Sequence, residues 1–145
     1  MSDSRWEQGS EFHWPVKSEA QWPTGTPNHP WKNSALMCGS GRDALRLALR
    51  HGETDFGWRR VWLPNYLCQE VVAAALTSGL PCVLYQDSPV VEAEWQHLAD
   101  TVKPGDVVVM VNFFGLRKQR NIRPFIEAGA AVIEDHTHNP WSDWA

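Results

Sequence analysis

Residues 107–111, Val107-Val108-Val109-Met110-Val111, form the stretch of sequence that decides the fold class. An unbroken apolar run of this length, rich in β-branched side chains, is typical of a strand that is covered on both faces. A second run of the same kind, Ala131-Val132-Ile133, leads directly into Glu134-Asp135. Strands of this type belong to parallel sheets that carry helices on both sides.

Helical patterns alternate with strand patterns along the rest of the chain. Apolar side chains recur at helical spacing in the segments 42–51, 66–78, 92–102 and 122–128, and Gly52 is expected to end the first helix. The short runs 61–63 and 82–85 predict two more strands. This alternation predicts an α/β fold with three layers and a mainly parallel sheet. Ligands bind such sheets beyond the carboxyl ends of the strands, where Asn65, Asp87, Asn112 and Asp135 fall.

Composition and charge argue against several classes of protein. The 145 residues carry a net charge of -4 without a basic patch, so we expect no nucleic-acid partner and no anionic membrane surface. No apolar run approaches the roughly 20 residues of a membrane span, and the polar N-terminus lacks the apolar core of a secretory signal. Cys38, Cys68 and Cys82 lack metal-binding spacing and predict reduced thiols in a cytoplasmic protein.

The first 33 residues have neither helical nor strand periodicity. Four prolines interrupt them, and the composition predicts an extended arm rather than a domain. Tryptophans are frequent in this arm and recur near the other end of the chain: Trp6, Trp14, Trp22, Trp31 and Trp141. Large aromatic side chains in irregular sequence usually pack onto a surface. We therefore expect the arm to lie against another part of the protein or against a second subunit.

The turn Gly39-Ser40-Gly41-Arg42 leads directly into the first predicted helix. Free backbone N–H groups at a helix N-terminus, together with the helix dipole, form an anion site that suits a phosphate ester. In the other interpretation, Ser40 simply caps the helix and the glycines make the turn. The turn also fits the dinucleotide fingerprint G-x-G-x-x-A, with Ala44 in the last place, but the next strand ends in Leu63-Pro64-Asn65 without the acid that binds ribose.

Asp135 ends the last predicted strand, where a carboxylate is held rigidly and partly desolvated. It needs a cationic or donor partner, and a protonated pyridine nitrogen would serve; capping of the next segment is the alternative. His136 and His138 follow it at H-x-H spacing, but the other histidines offer no third metal ligand. Donation of a hydrogen bond from His138 to a ligand oxygen is the functional interpretation, and an exposed turn histidine is the alternative.

Five motifs in order resemble the fold-type-I pyridoxal-phosphate (PLP) enzymes, and more closely the DegT/StrS sugar aminotransferases. They are Ser40-Gly41-Arg42-Asp43-Ala44-Leu45, Val61-Trp62-Leu63-Pro64-Asn65-Tyr66, the segment from Gly79 to Asp87, Asn112-Phe113-Phe114-Gly115, and Ile133-Glu134-Asp135-His136-Thr137-His138. The likeness covers residues 34–142. It implies that this region is the N-terminal part of a PLP-binding large domain.

The resemblance implies a role for each matching position. Ser40, Gly41 and Arg42 would hold the PLP phosphate, Asp135 would pair with the pyridinium nitrogen, and His138 would hydrogen-bond the phenolic oxygen of the ring. Asn112 would lie at the ligand end of its strand. Cys68 falls where the family has an aromatic side chain stacked on the ring, with Tyr66 as a less well placed substitute.

The Schiff-base lysine of the family would follow the Asp135 motif, but the four lysines, Lys17, Lys32, Lys103 and Lys118, all precede it. We therefore expect residues 34–145 to be a partial large domain that ends before that lysine, from an enzyme that transfers an amino group to a keto group on a sugar nucleotide. Such a fragment is expected to be inactive alone and, at full length, to bind a small-molecule substrate and form a homodimer. A non-catalytic phosphate-binding module and an NAD(P)-binding domain are the alternatives.

Overall fold

The computed structural model describes residue 36 and residues 38–139. The predicted arm (residues 1–33) and Trp141 lie outside the described residues. These residues contain four α-helices, α1 (Gly41–Phe56), α2 (Gln69–Leu76), α3 (Trp95–Thr101) and α4 (Arg123–Glu127), and a short 3-10 helix, Phe113–Gly115. Four strands alternate with them, β1 (Arg60–Pro64), β2 (Cys82–Tyr85), β3 (Asp106–Val111) and β4 (Ala131–Asp135).

The four strands form one sheet in the order β2-β1-β3-β4, and every neighbouring pair is parallel. Alternate residues of the central strands face opposite layers, as the two-residue period of a strand requires. Val107 and Val109 pack with Leu49 of α1 and Ala75 of α2. On the other face, Val108 and Met110 pack with the helices α3 and α4. The predicted three-layer α/β fold is confirmed, and β3 is apolar from Val107 to Val111 because helices cover both of its faces.

The sequence predicts that the first helix ends at Gly52, and this prediction is wrong. Gly52 is a buried position inside α1, and a Cβ atom there would lie 1.8 Å from the Trp58 ring. The glycine is needed because the indole packs directly against the helix backbone. The helix ends instead at Gly57, which adopts the left-handed conformation (φ 67°) and donates its N–H to the Gly52 carbonyl.

Two other helices begin later than predicted. The second starts at Gln69 rather than at residue 66, and the third starts at Trp95 rather than at residue 92. In both cases the preceding residues make other contacts: the Tyr66 ring packs edge-on against Phe113, and Glu92 accepts a hydrogen bond from the Trp95 indole. No helix among the described residues has the length and apolar character that crossing a bilayer requires.

Asp106 joins three segments at the edge of the sheet where the strands begin, which we call the amino edge. Its carboxylate accepts two hydrogen bonds from Arg60, at 3.0 and 2.6 Å, and one from the Trp62 indole at 2.8 Å. The Lys103 amide donates a fourth at 2.9 Å. This buried cluster, the Asp106 clamp, fixes the starts of β1 and β3 side by side.

Candidate functional site

The strand order creates a switch point at the opposite edge of the sheet, the carboxyl edge. The chain leaves β1 toward β2 on one side and leaves β3 toward β4 on the other. Parallel sheets open a crevice for ligands between two such strands. Tyr66 follows β1 and Phe113 follows β3, and their rings meet at a centroid distance of 5.7 Å across this point.

Asn112 lies directly after β3 and is completely enclosed. Its backbone N–H extends the ladder to the Asp135 carbonyl at 2.9 Å. Its side-chain oxygen accepts from the Arg117 amide at 3.1 Å, and its side-chain nitrogen is 3.5 Å from Nδ1 of His136. The residue is at the ligand end of its strand, as expected, but its amide already holds the loop that follows β3.

Asp135 is the last residue of β4 and is half-buried. Its Oδ1 accepts a hydrogen bond from the Thr137 amide at 2.9 Å, which shapes the turn after the strand. Through this oxygen, Asp135 caps the segment that follows β4, as the alternative interpretation of the sequence predicts. The second carboxylate oxygen is available for another donor, so the two interpretations of Asp135 are compatible.

His138 is exposed and packs back onto the turn after β3. Its Nδ1 accepts from the Phe114 amide at 2.9 Å, and its ring stacks on the Phe114 ring at 5.3 Å. Phe114 itself adopts the left-handed conformation (φ 55°), which is unusual for a bulky residue. Because Nδ1 accepts, a neutral His138 carries its proton on Nε2 and can donate from there.

The turn at Ser40 forms the N-terminus of α1. Ser40 caps the helix: its hydroxyl oxygen accepts from the Asp43 amide at 3.2 Å and donates to the Asp43 carboxylate at 2.8 Å. Arg46 pairs with the same carboxylate at 3.0 Å. Among the described residues, no atom lies within 4 Å of a Cβ added at Gly41, so they leave open space beside the first helical turn. Capping and anion binding can therefore coexist here.

The direction of α1 relates this turn to the carboxyl edge. The helix ends beside the amino edge, where the Arg59 amide donates to the Gly105 carbonyl just before β1. Its N-terminus therefore points toward the carboxyl edge, on the same side as Asp135. Arg42 is an exposed residue of the first turn, and Cys68 is an exposed residue at the start of α2, without a side-chain capping bond.

A buried ionic cluster lies after β2 and β3, and the sequence analysis did not predict it. Asp87 is fully buried, and its Oδ1 accepts from Arg117 at 3.0 Å and from the Ala93 amide at 3.2 Å. Arg117 also pairs with Glu92 at 3.2 Å. Burial raises the pKa of the Asp87 carboxyl, against the effect of its arginine neighbours. A buried acid at a strand end requires a cation nearby. A cationic partner for Asp87 could therefore have been predicted, as it was for Asp135, although the sequence does not identify Arg117.

The carboxyl ends of β3 and β4 thus bring Asn112, Asp135 and His138 into one neighbourhood linked through Phe114 and His136. Ser40, Gly41 and Arg42 form the turn at the start of α1, and Cys68 begins the neighbouring helix. Across residue 36 and residues 38–139, no three His, Cys, Asp or Glu side chains are placed to hold a metal ion.

No protein-family model and no curated sequence matches the chain. Solved aminotransferases share its fold. The sugar aminotransferase CalS13 from Micromonospora echinospora matches at 18% identity and a TM-score of 0.53, over 66% of this chain and 29% of its own. The aromatic amino acid aminotransferase from Psychrobacter sp. B6 matches at 11% identity and a TM-score of 0.55, over 72% and 32%.

The cytoplasmic aspartate aminotransferase of Saccharomyces cerevisiae matches at 12% identity and a TM-score of 0.50, over 66% of this chain and 27% of its own. The chain therefore spans less than a third of the length of each of these three structures. The likeness is one of fold: the described residues share the fold of one portion of each of these structures.

Proposed function

We propose that this chain forms the cofactor-binding portion of a PLP-dependent aminotransferase of fold type I. One observation carries the proposal: the open N-terminus of α1 points toward the edge of the sheet at which Asp135 ends β4. A phosphate group and a protonated ring nitrogen are the two charged ends of PLP, and these are the two groups that such a pair of positions would recognise. The aminotransferase fold supports the same assignment.

The residues at each end are compatible with the cofactor. At the phosphate end, Gly41 leaves open space, and the first-turn amides of Gly41 and Arg42 offer N–H donors at the positive end of a helix. At the ring end, the Asp135 oxygen that Thr137 does not use can accept from the pyridinium N–H. His138 can donate from Nε2 to the phenolic oxygen, since the Phe114 amide occupies its Nδ1.

When bound, PLP supplies an electron sink for amino transfer. The contribution of Asp135 is to hold a proton on the ring nitrogen through its negative charge. Ser40 shapes the phosphate turn by capping α1, and Cys68 leaves the ring face open to another stacking partner. Among the lysines in the described residues, Lys103 precedes β3 at the amino edge and Lys118 follows the turn after β3. Neither follows Asp135, which is where the family places its Schiff-base lysine, so neither is assigned that role.

The activity of the whole protein follows from the motif resemblance. We propose amino transfer to a keto group on a sugar nucleotide, by a homodimer of the DegT/StrS type in the cytoplasm. The chain alone is expected to lack this activity, because no lysine is available to move the proton between the substrate carbon and the cofactor. A lysine encoded in frame downstream of the Ala145 codon would support this reading, and a stop codon directly after it would contradict it.

Cofactor binding can be tested with pyridoxine 5′-phosphate, which lacks the aldehyde and so cannot react with exposed lysines. Titration calorimetry on the full chain should show binding, weakened about tenfold by Asp135→Asn, which removes a charge-assisted hydrogen bond. Asp100→Asn, which changes an exposed carboxylate on α3, is the matched control and should leave the affinity unchanged. Equal affinity in both variants would overturn the assignment of Asp135.

A non-catalytic phosphate-binding module is the second candidate. The N-terminus of α1 favours it, because the first-turn amides can bind a phosphate group without any contribution from Asp135. Inorganic phosphate distinguishes the two, because a phosphate-only site would bind it about as tightly as pyridoxine 5′-phosphate. Clear preference for the pyridoxine ester supports the cofactor site, and equal binding supports the module.

A further inference from the structure

Arg117 ties the loop after β3, residues 112–122, to the loop after β2. Its side chain is only 11% exposed and pairs with the Asp87 carboxylate at 3.0 Å and with Glu92 at 3.2 Å. It also donates a hydrogen bond to the Ser88 carbonyl. The backbone N–H of the same residue donates to Oδ1 of Asn112 at 3.1 Å. One residue therefore fixes the loop after β3 both to its own start and to a neighbouring part of the fold.

The carboxylate that anchors Arg117 is buried and is held by other groups as well. Asp87 is completely enclosed, and its Oδ1 also accepts a hydrogen bond from the Ala93 amide at 3.2 Å. Its own backbone N–H donates to Oδ1 of Asn65 at 3.3 Å. A charge-assisted hydrogen bond to a group fixed in this way defines where the guanidinium lies. The position of the Arg117 side chain is therefore set by the fold around Asp87.

Between Asn112 and Arg117 the chain makes a turn of unusual conformation. Phe114 and Gly115 are both left-handed, with φ of 55° and 70°. A bulky residue in this conformation is strained and keeps it only where its surroundings impose it. The hydrogen bond from the Arg117 amide to Asn112 closes the turn, and the guanidinium lies 5.8 Å from the centre of the Phe113 ring. Arg117 thus contacts the turn through both its backbone and its side chain.

The strained turn determines how His138 is held. The Phe114 N–H donates to Nδ1 of His138 at 2.9 Å, and the two rings stack with their planes 14° apart. The turn also lies directly against the segment after β4, because a Cβ added at Gly115 would be 2.4 Å from Cβ of Asn139. A backbone N–H can only donate, so Nδ1 of the neutral ring has no proton and Nε2 carries it. The conformation of Phe114 therefore selects which nitrogen of His138 can donate.

We propose that Arg117 is a positioning residue for the site at the carboxyl edge. Through its pair with Asp87 it holds the turn in the conformation whose Phe114 N–H occupies Nδ1 of His138, and this leaves Nε2 as the donor to a ligand oxygen. The identity of that oxygen as the phenolic oxygen of PLP rests on the proposed function. Arg117 is assigned no contact with the cofactor and acts only through the turn.

Nuclear magnetic resonance can detect the hydrogen bond on which the proposal depends, without any ligand. The nitrogen–nitrogen scalar coupling between the Phe114 amide and Nδ1 of His138 should be present in the unmodified chain. It should be lost in Arg117→Gln, because the turn is no longer anchored to the buried carboxylate. Lys118→Gln is the matched control: it removes the same charge from the adjacent, exposed residue and should keep the coupling.

A second variant keeps the test decisive if Arg117→Gln fails to fold. Asp87→Ser removes the anchor from the other side and leaves Arg117 its Glu92 partner and the Ser88 carbonyl, so the guanidinium keeps a countercharge. It should also lose the coupling while circular dichroism shows a folded chain. A coupling that persists in the folded variants, or that is missing from the unmodified chain, would overturn the positioning role of Arg117.

The link to the cofactor is tested separately by titration calorimetry. Arg117→Gln should weaken binding of pyridoxine 5′-phosphate about fivefold, since His138 no longer donates from a fixed position, and should leave binding of inorganic phosphate unchanged. Loss of the coupling with unchanged affinity for both ligands would overturn the link to the cofactor. Loss of the coupling in a chain that binds no pyridoxine 5′-phosphate at all would instead overturn the proposed function and support the role of Arg117 in the turn.

Discussion

At the scale of single residues, Asp106 makes a contribution to stability that can be tested by its pH dependence. Burial alone would raise the pKa of its carboxyl, but hydrogen bonds from Arg60, the Lys103 amide and the Trp62 indole outweigh burial and hold that pKa below its ordinary value. The carboxylate therefore stabilises the fold above its ordinary pKa of about 4, and this contribution disappears as the pH falls through the lower folded pKa.

Asp106→Asn should accordingly reduce the free energy of unfolding by about 3 kcal/mol at neutral pH, because it leaves the Arg60 charge without a partner. The difference from the unmodified chain should begin to shrink below about pH 4, where the carboxyl of the unfolded chain is protonated, and should disappear once the folded carboxyl is protonated at lower pH. Urea unfolding followed by circular dichroism over a series of pH values measures both quantities. A difference that stays constant down to acid pH would show that the charge of Asp106 is not responsible, and Asp100→Asn should show little effect.

Gly52 provides a steric prediction. A methyl group at this position would overlap the Trp58 ring, so Gly52→Ala should reduce the free energy of unfolding by about 2 kcal/mol despite the better helix propensity of alanine. Gly41→Ala is the control, since its Cβ meets open space in the same helix. It should be neutral or slightly stabilising in chemical denaturation. Similar losses in both variants would mean that the indole does not set the requirement.

Some of the site could be read from single residues and some could not. Asp135 was placed correctly at a strand end because a polar residue after an apolar run marks that point. The partners of Asn112 and Asp87 were not foreseen, because Arg117 reaches both from a loop whose path depends on tertiary packing. A buried acid predicts a cation nearby but does not say which one.

At the scale of elements, the end of α1 can be tested apart from its packing. Gly57 has a positive φ, and a Cβ there would meet no atom within 4 Å, so any effect of substitution reflects backbone strain. Gly57→Ala should lower the free energy of unfolding by about 1 kcal/mol, and Gly57→Asn by less, because asparagine tolerates this conformation. Thermal unfolding of the three proteins gives the order. An asparagine variant as unstable as the alanine variant would contradict this explanation.

The strands were predicted more accurately than the helices. Each strand is a short apolar run whose ends are marked by polar or turn residues, and β4 agrees with its prediction to within the Glu134-Asp135 extension. The ends of the helices depend on tertiary contacts, which the spacing of apolar residues along the sequence does not reveal. The α1 helix continues past Gly52 to Phe56, and Gly52 leaves room for the Trp58 ring against the helix. The α2 helix starts later than predicted because Tyr66 packs against Phe113 instead.

At the scale of the whole molecule, the open sides of the sheet predict association. Within the described residues, β2 pairs only with β1, and β4 pairs only with β3. Unpaired strand edges favour contact between chains. We expect the mass measured by analytical ultracentrifugation to rise with concentration. A monomer at every concentration would contradict this expectation.

Leu84→Lys identifies the edge responsible. Leu84 lies on β2 and is 57% exposed, so the substitution adds a charge to the edge strand at a small cost to folding. It should reduce association. Val90→Lys makes the same change of charge at an exposed position outside the strands and should leave association unchanged. If both variants reduce association equally, net charge rather than the β2 edge is the cause.

The Asp106 clamp lies at the amino edge, whereas every residue proposed to contact a cofactor lies at the carboxyl edge or at the helix start that points toward it. This separation bears on how such a protein can change during evolution. Exposed residues such as Tyr66, Cys68 and Phe114 can be exchanged for others without loosening the cluster that keeps β1 and β3 in register. New ligand preferences can therefore arise at one edge while the other preserves the ability of the chain to fold.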